Sequence, residues 1–442
     1  MKKLNLLPLL ASILVSQAVG APGADLTLRV APERDLIYDR GPREIVVQID
    51  LDARRPEHGK RTPMNLSVVL DRSGSMQGAK IEKARKAACV AIDHLGDNDY
   101  FSLVTFDNDT DVLIAPERVG GDRNRDELKS RIERIRPGGG TAIYAGVTLG
   151  AKQVRRYLEK ELVNRVILLS DGIANVGPSR TSDLASLGRD LRRDGLSVTT
   201  VGLGDDYNED LMTALAEASN ANYYYVRDAE KLPGIFAEEL GAARSLVARG
   251  ITIRIRVPEG VRLKEIIGQP EIECRGRSAD IVLPEYFGGD KRRFLVRCVI
   301  EEKASAPLEV ASVDLKYEPA DGSKADAQQQ SARIGFTDEE KKSEASLRVE
   351  VMREVSVMEN RLAKERAVKL ADEGRSKDAA DLLRGQVTRN ASAPAAAQVP
   401  GLALENRKLE EAAQEVESRG SLGKASRKQM QYENWQDKYQ KR

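Results

Sequence analysis

The stretch LSVVLDRSGSMQG, residues 66–78, decides the fold. An apolar run ends abruptly at Asp71, and two hydroxyl side chains follow at alternate positions, Ser73 and Ser75. This pattern predicts a buried central strand that delivers one carboxylate and two hydroxyls into the loop opening a helix. Open α/β sheets place their ligand sites at the carboxyl ends of such strands. Since hard divalent cations prefer oxygen ligands of this kind, the stretch predicts a cation site.

Two later segments extend the predicted site. RPGGGTAIYAG, residues 136–146, places Thr141 directly after three glycines and before a helix. RVILLSDGIANVG, residues 165–177, places Asp171 just past the end of another apolar strand. Both segments should reach the carboxyl-end rim of the same sheet. We therefore predict a bound Mg²⁺, with Mn²⁺ or Ca²⁺ as alternatives, and one coordination position left open. The predicted ligands are Asp71, Ser73, Ser75, Thr141 and Asp171.

The pattern along the chain predicts an inserted α/β domain. Short β-rich runs alternate with helical segments over residues 63–243, which is typical of a doubly wound, mostly parallel sheet. The run DVLIA follows YFSLVTF after a short turn, so that pair should be antiparallel and lie at an edge. Residues 21–62 and 244–336 show strand alternation without helices. We expect these two parts to form one antiparallel β-sandwich, with the α/β domain inserted between its halves.

The remainder of the chain is predicted to be helical. Residues 337–389 are predicted to form helices with a turn at Gly374. Residues 390–403 are predicted to be a Pro/Ala-rich linker. The tail, residues 404–442, is predicted to be helical or partly disordered. For its last residues, SRKQMQYENWQDKYQKR, the composition favours a partly disordered, solvated end over a binding helix.

Composition and the N-terminus limit the class of protein. The chain has 442 residues, and its 70 Lys+Arg nearly balance 69 Asp+Glu, which gives no sign of nucleic-acid binding. Residues 1–20 have the basic start, apolar run and small-residue end of a signal peptide. We found no later run of the ~20 apolar residues that a membrane helix needs. We therefore expect an exported protein, periplasmic or secreted, that does not span a membrane.

The three cysteines match no zinc motif. Cys89 fits a small apolar residue on a helix. Cys274 and Cys298 lie in two strand-like segments of one region, and an exported protein could join them. Their spacing leaves a disulfide and two free thiols equally open.

Taken together, the site residues carry a family resemblance. Asp71-x-Ser73-x-Ser75, Thr141 and Asp171-Gly172 resemble, in order and context, the metal-ion-dependent adhesion site of the von Willebrand factor type A family. The resemblance covers about residues 63–241. It implies direct ligation by both serines, ligation by Thr141 and the aspartates directly or through water, and a last ligand from an Asp or Glu of a partner. The flanking parts are similar to exported bacterial members, which points to a bacterial host, and more loosely to inter-alpha-trypsin inhibitor heavy chains.

Other chemistries fit the sequence less well than this non-enzymatic, adhesion-type function. Ser73 lacks the Gly-x-Ser-x-Gly frame of a hydrolase nucleophile, and the chain has two histidines, His58 and His94, of which His94 is expected at a helix end. The run DNDTD, residues 107–111, lacks the later Gly and Glu of a calcium loop and is predicted to be a hairpin turn. A metal-assisted hydrolase and a protein with a purely stabilising metal remain alternatives.

Overall fold

The computed structural model describes most of the 442-residue chain. The described residues are 26–41, 43–55, 62–242, 246–270, 272–301, 307–392 and 399–439. The predicted signal peptide, residues 1–20, therefore lies outside them.

Fifteen strands and eleven α-helices are formed by the described residues. The strands are β1 (Leu26–Pro32), β2 (Leu36–Tyr38), β3 (Glu44–Ala53), β4 (Met64–Asp71), β5 (Tyr100–Phe106), β6 (Thr110–Arg118), β7 (Val163–Ser170), β8 (Ser197–Leu203), β9 (Tyr223–Val226), β10 (Leu246–Arg256), β11 (Val261–Ile266), β12 (Ser278–Phe287), β13 (Lys291–Ile300), β14 (Leu308–Pro319) and β15 (Asp326–Thr337). The helices are α1 (Ala79–His94), α2 (Asp122–Ile132), α3 (Ile143–Arg155), α4 (Thr181–Arg193), α5 (Glu209–Ala218), α6 (Leu232–Ala242), α7 (Glu340–Ala345), α8 (Val349–Asp372), α9 (Ser376–Ser392), α10 (Leu402–Arg419) and α11 (Lys424–Tyr439).

The α/β domain is built on a six-stranded sheet in the order β6-β5-β4-β7-β8-β9. Strands β5, β4, β7, β8 and β9 run parallel to their neighbours, whereas β6 pairs antiparallel with β5 at the edge. Every residue of β4 and β7 is buried, because helices cover both faces of a parallel sheet. The predicted doubly wound sheet with an antiparallel edge hairpin is confirmed.

The sandwich has two sheets, ordered β1-β3-β13-β11 and β12-β10-β14-β15-β2. Strand β3 pairs with β1 on one side and with β13 on the other, so residues before and after the α/β domain share one sheet. The α/β domain is thus an insertion in the sandwich, as predicted. One detail differs from an all-antiparallel sandwich, since the three-residue β2 pairs parallel with β15.

Cys298 is buried and Cys274 is half-buried at the core of the sandwich, and both are free thiols in the structure.

The C-terminal part packs as helices on both other parts. Helix α8 ends near the predicted turn at Gly374, whose φ of +78° suits glycine. The predicted linker is shorter than expected at both ends, because α9 continues to Ser392 and α10 begins at Leu402. The expectation of a partly disordered end is wrong for residues 424–439, which form α11 and bury Trp435 against the α/β domain.

Candidate metal centre

Asp71 lies at the carboxyl end of the central strand of the α/β sheet. Strand β4 pairs in parallel with β7 up to Leu70 opposite Leu169, which places Asp71 beside Ser170 and close to Asp171. The chain then leaves the sheet through a short 3₁₀ turn, Gly74–Met76, and enters α1. Two carboxylates therefore meet at one rim because two parallel strands end there.

Hydrogen bonds connect four of the five predicted ligands. Asp71 Oδ1 accepts from the Ser73 backbone N–H at 2.7 Å, and Asp71 Oδ2 accepts from Ser170 Oγ at 2.5 Å. Ser75 Oγ donates to Asp171 Oδ1 at 2.7 Å. The Ser73 and Ser75 hydroxyl oxygens are 3.0 Å apart. The structure thus brings both aspartates and both serines into one connected group.

Thr141 joins this group through the glycine loop. Its backbone N–H donates to Asn175 Oδ1 at 2.8 Å, and the preceding Gly140 N–H donates to Asn108 Oδ1 at 2.9 Å. The Thr141 side chain packs against the loop after β7, since a Cβ added to Gly172 would lie 2.7 Å from Thr141 Oγ1. Thr141 therefore lies next to the residue that follows Asp171.

Glycine is required in this loop for two different reasons. Gly139 has φ +80°, a left-handed conformation that side chains with a Cβ rarely adopt. At Gly140 a Cβ would lie 2.6 Å from Asn108 Oδ1 and 2.9 Å from Asn175 Oδ1. Gly74 N–H also donates to the Gly139 carbonyl at 3.0 Å, which ties the glycine loop to the serine loop.

The site is buried at its base and open at its rim. Asp71 and Asp171 are fully buried, whereas Ser75 is exposed. Burial raises the pKa of Asp71 to about 6; the hydrogen bonds from Ser170 and Ser73 oppose this rise, and the nearby Asp171 carboxylate adds to it. Lys80, in the first turn of α1, donates from Nζ to Asp171 Oδ2 at 2.5 Å. Two buried acidic groups thus face one ammonium group at this rim.

These residues fit a hard divalent cation. The donors are all oxygens, two from carboxylates and three from hydroxyls, which is the ligand chemistry of Mg²⁺ rather than of a thiolate- or imidazole-binding metal. Within the described ranges, we find no group of three or more His, Cys, Asp and Glu that could hold a metal. The hydroxyls are therefore essential to any metal site formed here. An added positive charge would also offset the cost of burying Asp71, for which no described residue provides an ion pair.

Four residues of the centre were not predicted from the sequence. Ser170 and Lys80 contact the carboxylates, and Asn108 and Asn175 hold the glycine loop. Ser170 and Asn175 lie within the quoted segment of residues 165–177, so their position offered a signal. Lys80 and Asn108 gave none, because their roles depend on side-chain directions between separate loops.

His94, the histidine among the described residues, lies far from the candidate metal centre. His94 is the last residue of α1, which begins beside the site and contains 16 residues. At about 1.5 Å per residue the helix places it roughly 24 Å away. His58 falls outside the described residues. The hydroxyl groups of the centre thus have no described imidazole to act as their base.

Comparison with known proteins agrees with this architecture. Residues 65–238 match the family model of the von Willebrand factor type A domain. The uncharacterized protein sll0103 of Synechocystis is 33% identical over 183 residues, which is 41% of this chain and 42% of that protein. Inter-alpha-trypsin inhibitor heavy chain H3 of Rattus norvegicus is 27% identical over 35% of this chain and 18% of its own length. The chain thus spans less than half the length of these curated relatives.

The fold similarity extends beyond the α/β domain. A solved structure described as von Willebrand factor type A from Catenulispora acidiphila has a TM-score of 0.70 and 17% identity, and the match covers 93% of this chain and 96% of that one. The match therefore includes the sandwich, the inserted domain and the C-terminal helices of this chain.

Residues 65–238 form a von Willebrand factor type A domain, a family generally used for protein interaction. In the described part of the chain we find no helix with both the length and the apolar character needed to cross a membrane.

Proposed function

We propose that this protein is an exported, non-enzymatic binding module that captures an acidic side chain of a partner protein through a divalent cation. The ligands would be Asp71, Ser73, Ser75, Thr141 and Asp171, and the preferred ion Mg²⁺. When bound, the cation supplies an electrophilic position for the partner's carboxylate.

One observation carries the proposal. Asp71 and Asp171 are both fully buried at the same rim, and Lys80 is the ion-pair partner that the described residues provide for them. An unpaired buried carboxylate is costly, so the arrangement favours uptake of a cation. The hydroxyls of the buried Ser73 and the exposed Ser75, whose oxygens are 3.0 Å apart, supply neutral oxygens beside the carboxylates. Because these hydroxyl oxygens are uncharged, they would neutralise little of the positive charge of the cation. The cation would therefore still attract a carboxylate of the partner.

The residues of the chain have separate roles in this proposal. The aspartates form the base of the site: Asp171 orients the Ser75 hydroxyl, and Asp71 holds the backbone N–H of Ser73. Thr141 approaches from a loop that Asn108 and Asn175 hold in place. Since no described imidazole approaches these hydroxyls, binding is favoured over hydrolysis.

The surroundings of the rim suit a protein partner. Ile173, two residues after Asp171, has a side chain that is 60% exposed. An apolar side chain beside a charged capture point would add contact area around the carboxylate. Export is proposed from the signal-peptide pattern of residues 1–20.

Calorimetric titration of the mature protein with MgCl₂ tests the metal site. We expect binding by the wild type and its loss in Ser73→Ala/Ser75→Ala and in Asp171→Ala, with circular dichroism unchanged. The control is Ser312→Ala/Ser331→Ala, which removes two hydroxyls from paired positions of the sandwich strands β14 and β15. Absence of binding by the wild type, or equal loss in the control, would contradict the proposal.

Partner capture needs a separate experiment. Peptides selected from a displayed library on the Mg²⁺-loaded protein should share an Asp or Glu. Their binding should disappear with EDTA, and also when that residue is changed to Asn or Gln. If Mg²⁺ binds and raises the melting temperature but no acidic peptide is enriched, the cation only stabilises the loops and the capture function is wrong.

A further inference from the structure

A second candidate site lies where the three parts of the protein meet. A cavity of about 490 Å³ is bordered by the α/β domain, by strand β12 of the sandwich and by the end of α11. Its lining includes Arg192, residues 278–283, Arg292 and Tyr439. The lining combines backbone groups of a strand with five cationic and three acidic side chains, so cationic groups outnumber acidic ones in the cavity. Of these, Asp280 pairs with Arg254, and Arg293 pairs with Asp50 and Glu354.

This cavity is remote from the metal centre. Arg192 lies at the end of α4, and Glu217, which also lines the cavity, lies at the end of α5. Helices that connect parallel strands run back along the sheet, so their last residues lie at the amino ends of the strands. The predicted ligands occupy the carboxyl ends. The two sites therefore lie at opposite ends of the parallel strands of this sheet.

Strand β12 presents an open edge to the cavity. It is the outermost strand of its sheet and pairs with β10 on one side. Arg192 Nη2 donates to the Val282 carbonyl oxygen at 3.0 Å, so this carbonyl points away from β10. By the alternation of an antiparallel strand, the backbone groups of Asp280 point outward as well. The side chain of Val282 is 56% exposed on the same strand.

The open edge has defined limits. Ser278 exchanges two backbone hydrogen bonds with Arg275, at 2.8 and 3.2 Å, which closes one end. Pro284 has no N–H to offer at the next outward position beyond Val282. Between these limits, the outward N–H and C=O of Asp280 and the N–H of Val282 have no partner among the described residues. Three backbone groups are thus available to an added strand.

The charges of the cavity favour an acidic occupant. Lys438 pairs with Glu217 at 3.3 Å, and Arg275 pairs with Glu273 at 3.2 Å. Arg192 instead contacts the Val282 carbonyl, and the Arg292 guanidinium lies 4.2 Å from the ring centroid of Tyr439. Neither of these two arginines has a carboxylate partner within the described ranges. Beside the open strand edge, these are two positive charges without an ion-pair partner in the described part of the chain.

We propose that this groove binds an extended acidic peptide segment of a partner, which adds a strand to β12. Backbone hydrogen bonds to Asp280 and Val282 would supply the pairing, and carboxylates of the peptide would contact Arg192 and Arg292. This inference goes beyond metal-dependent capture, because it needs neither the cation nor any of its ligands.

Fluorescence anisotropy of the full mature protein with labelled octapeptides tests it. An alternating Glu-Thr peptide should bind, whereas an alternating Lys-Thr peptide and an N-methylated Glu-Thr peptide should not. Arg192→Glu should weaken binding about tenfold or more, since it reverses a charge-assisted contact. The matched control is Arg193→Glu, because Arg193 neighbours Arg192 in α4 but pairs with Asp190 at 2.9 Å instead of lining the cavity.

The outcomes separate this proposal from the metal-dependent one. Binding should persist in EDTA and in Ser73→Ala/Ser75→Ala, and binding that disappears there would belong to the metal centre. Lack of binding at millimolar peptide, equal binding of the N-methylated peptide, or equal loss in Arg193→Glu would each overturn the groove proposal. So would concentration-dependent dimers that Arg192→Glu abolishes, because the edge would then pair with a second copy of the chain.

Discussion

Lys80 should weaken cation binding at the metal centre, and replacing it should strengthen that binding. Its ammonium group lies 2.5 Å from Oδ2 of Asp171. We propose the carboxylate of Asp171 as a metal ligand, so the ammonium group and the cation would repel each other. The change Lys80→Met keeps the length of the side chain and removes the charge. The variant should therefore bind Mg²⁺ more tightly than the wild type.

The size of the effect follows from the electrostatics of the ion pair. Unit charges about 4 Å apart interact by about 1 kcal/mol in water and about 4 kcal/mol at an effective dielectric constant of about 20, and a divalent ion doubles both values. The Lys80 side chain is 34% exposed, so solvent screens much of this repulsion. We expect a gain of about 1–2 kcal/mol, which is roughly a five- to thirtyfold lower Kd for Mg²⁺.

Calorimetry at constant ionic strength measures this gain, and Lys83→Met provides the control. Lys83 lies one turn further along α1 and pairs with Glu230 at 2.7 Å, so its loss changes the net charge equally without touching Asp171. Unchanged or weaker binding in Lys80→Met, or an equal gain in Lys83→Met, would refute the reasoning that the ammonium competes with the cation.

Three further changes test other parts of the structure. Gly172→Ala should weaken Mg²⁺ binding in calorimetry while circular dichroism stays unchanged, because the new Cβ would lie 2.7 Å from Thr141 Oγ1. Trp435→Ala should lower the free energy of unfolding in urea by about 3–5 kcal/mol, since it removes a buried side chain of α11. Glu239→Gln should destabilise the protein at pH 7 and progressively less below pH 4.5. Burial alone would raise the pKa of Glu239, but its ion pair with Arg165 and its hydrogen bonds outweigh burial and hold this pKa below the ordinary value of 4.5. The charged form therefore stabilises the fold above that pH, and this contribution is lost as the pH falls. A gap between wild type and variant that widens towards acid pH, in urea titrations from pH 7 to 4, would contradict the assignment.

Local patterns predicted most of the α/β domain and the meeting of Asp71 and Asp171 at one rim of its sheet. The run before Asp71 and the run before Asp171 are both strands that end at one rim, so strand periodicity and the rule for ligand position were sufficient. The roles of Lys80 and Asn108 were not predictable in this way. Each depends on which direction a side chain takes between two loops, and no pattern within one segment records that direction.

Tertiary contacts account for the elements that the sequence predicted poorly. Strand β2 has only three residues, which are too few to show an alternation of apolar and polar residues. It forms because β15 provides a pairing partner. The aromatic residues of α11 recur at helical spacing, as Tyr432, Trp435 and Tyr439, so the pattern for a helix was present. Isolated helices of this length are marginal, however, and composition therefore favoured disorder. Helix α11 forms because its aromatic face is buried against the α/β domain, which lies over 180 residues earlier in the chain.

The charged contacts of α11 have a different role from its aromatic ones. Lys428 and Glu209 form an ion pair at 2.7 Å with both side chains almost fully buried. Desolvation offsets most of the attraction within such a pair, so the apolar contacts of Trp435 must supply most of the docking energy. A shift of α11 by one turn, however, would leave two buried charges without partners. The pair therefore selects one register for the helix, and Arg427 reinforces it by contacting Asp210 of the α/β domain and Asp372 of the helical part at 2.7 and 2.9 Å. Since that register also brings Tyr439 over Arg292, the docking of α11 sets the shape of the groove at β12.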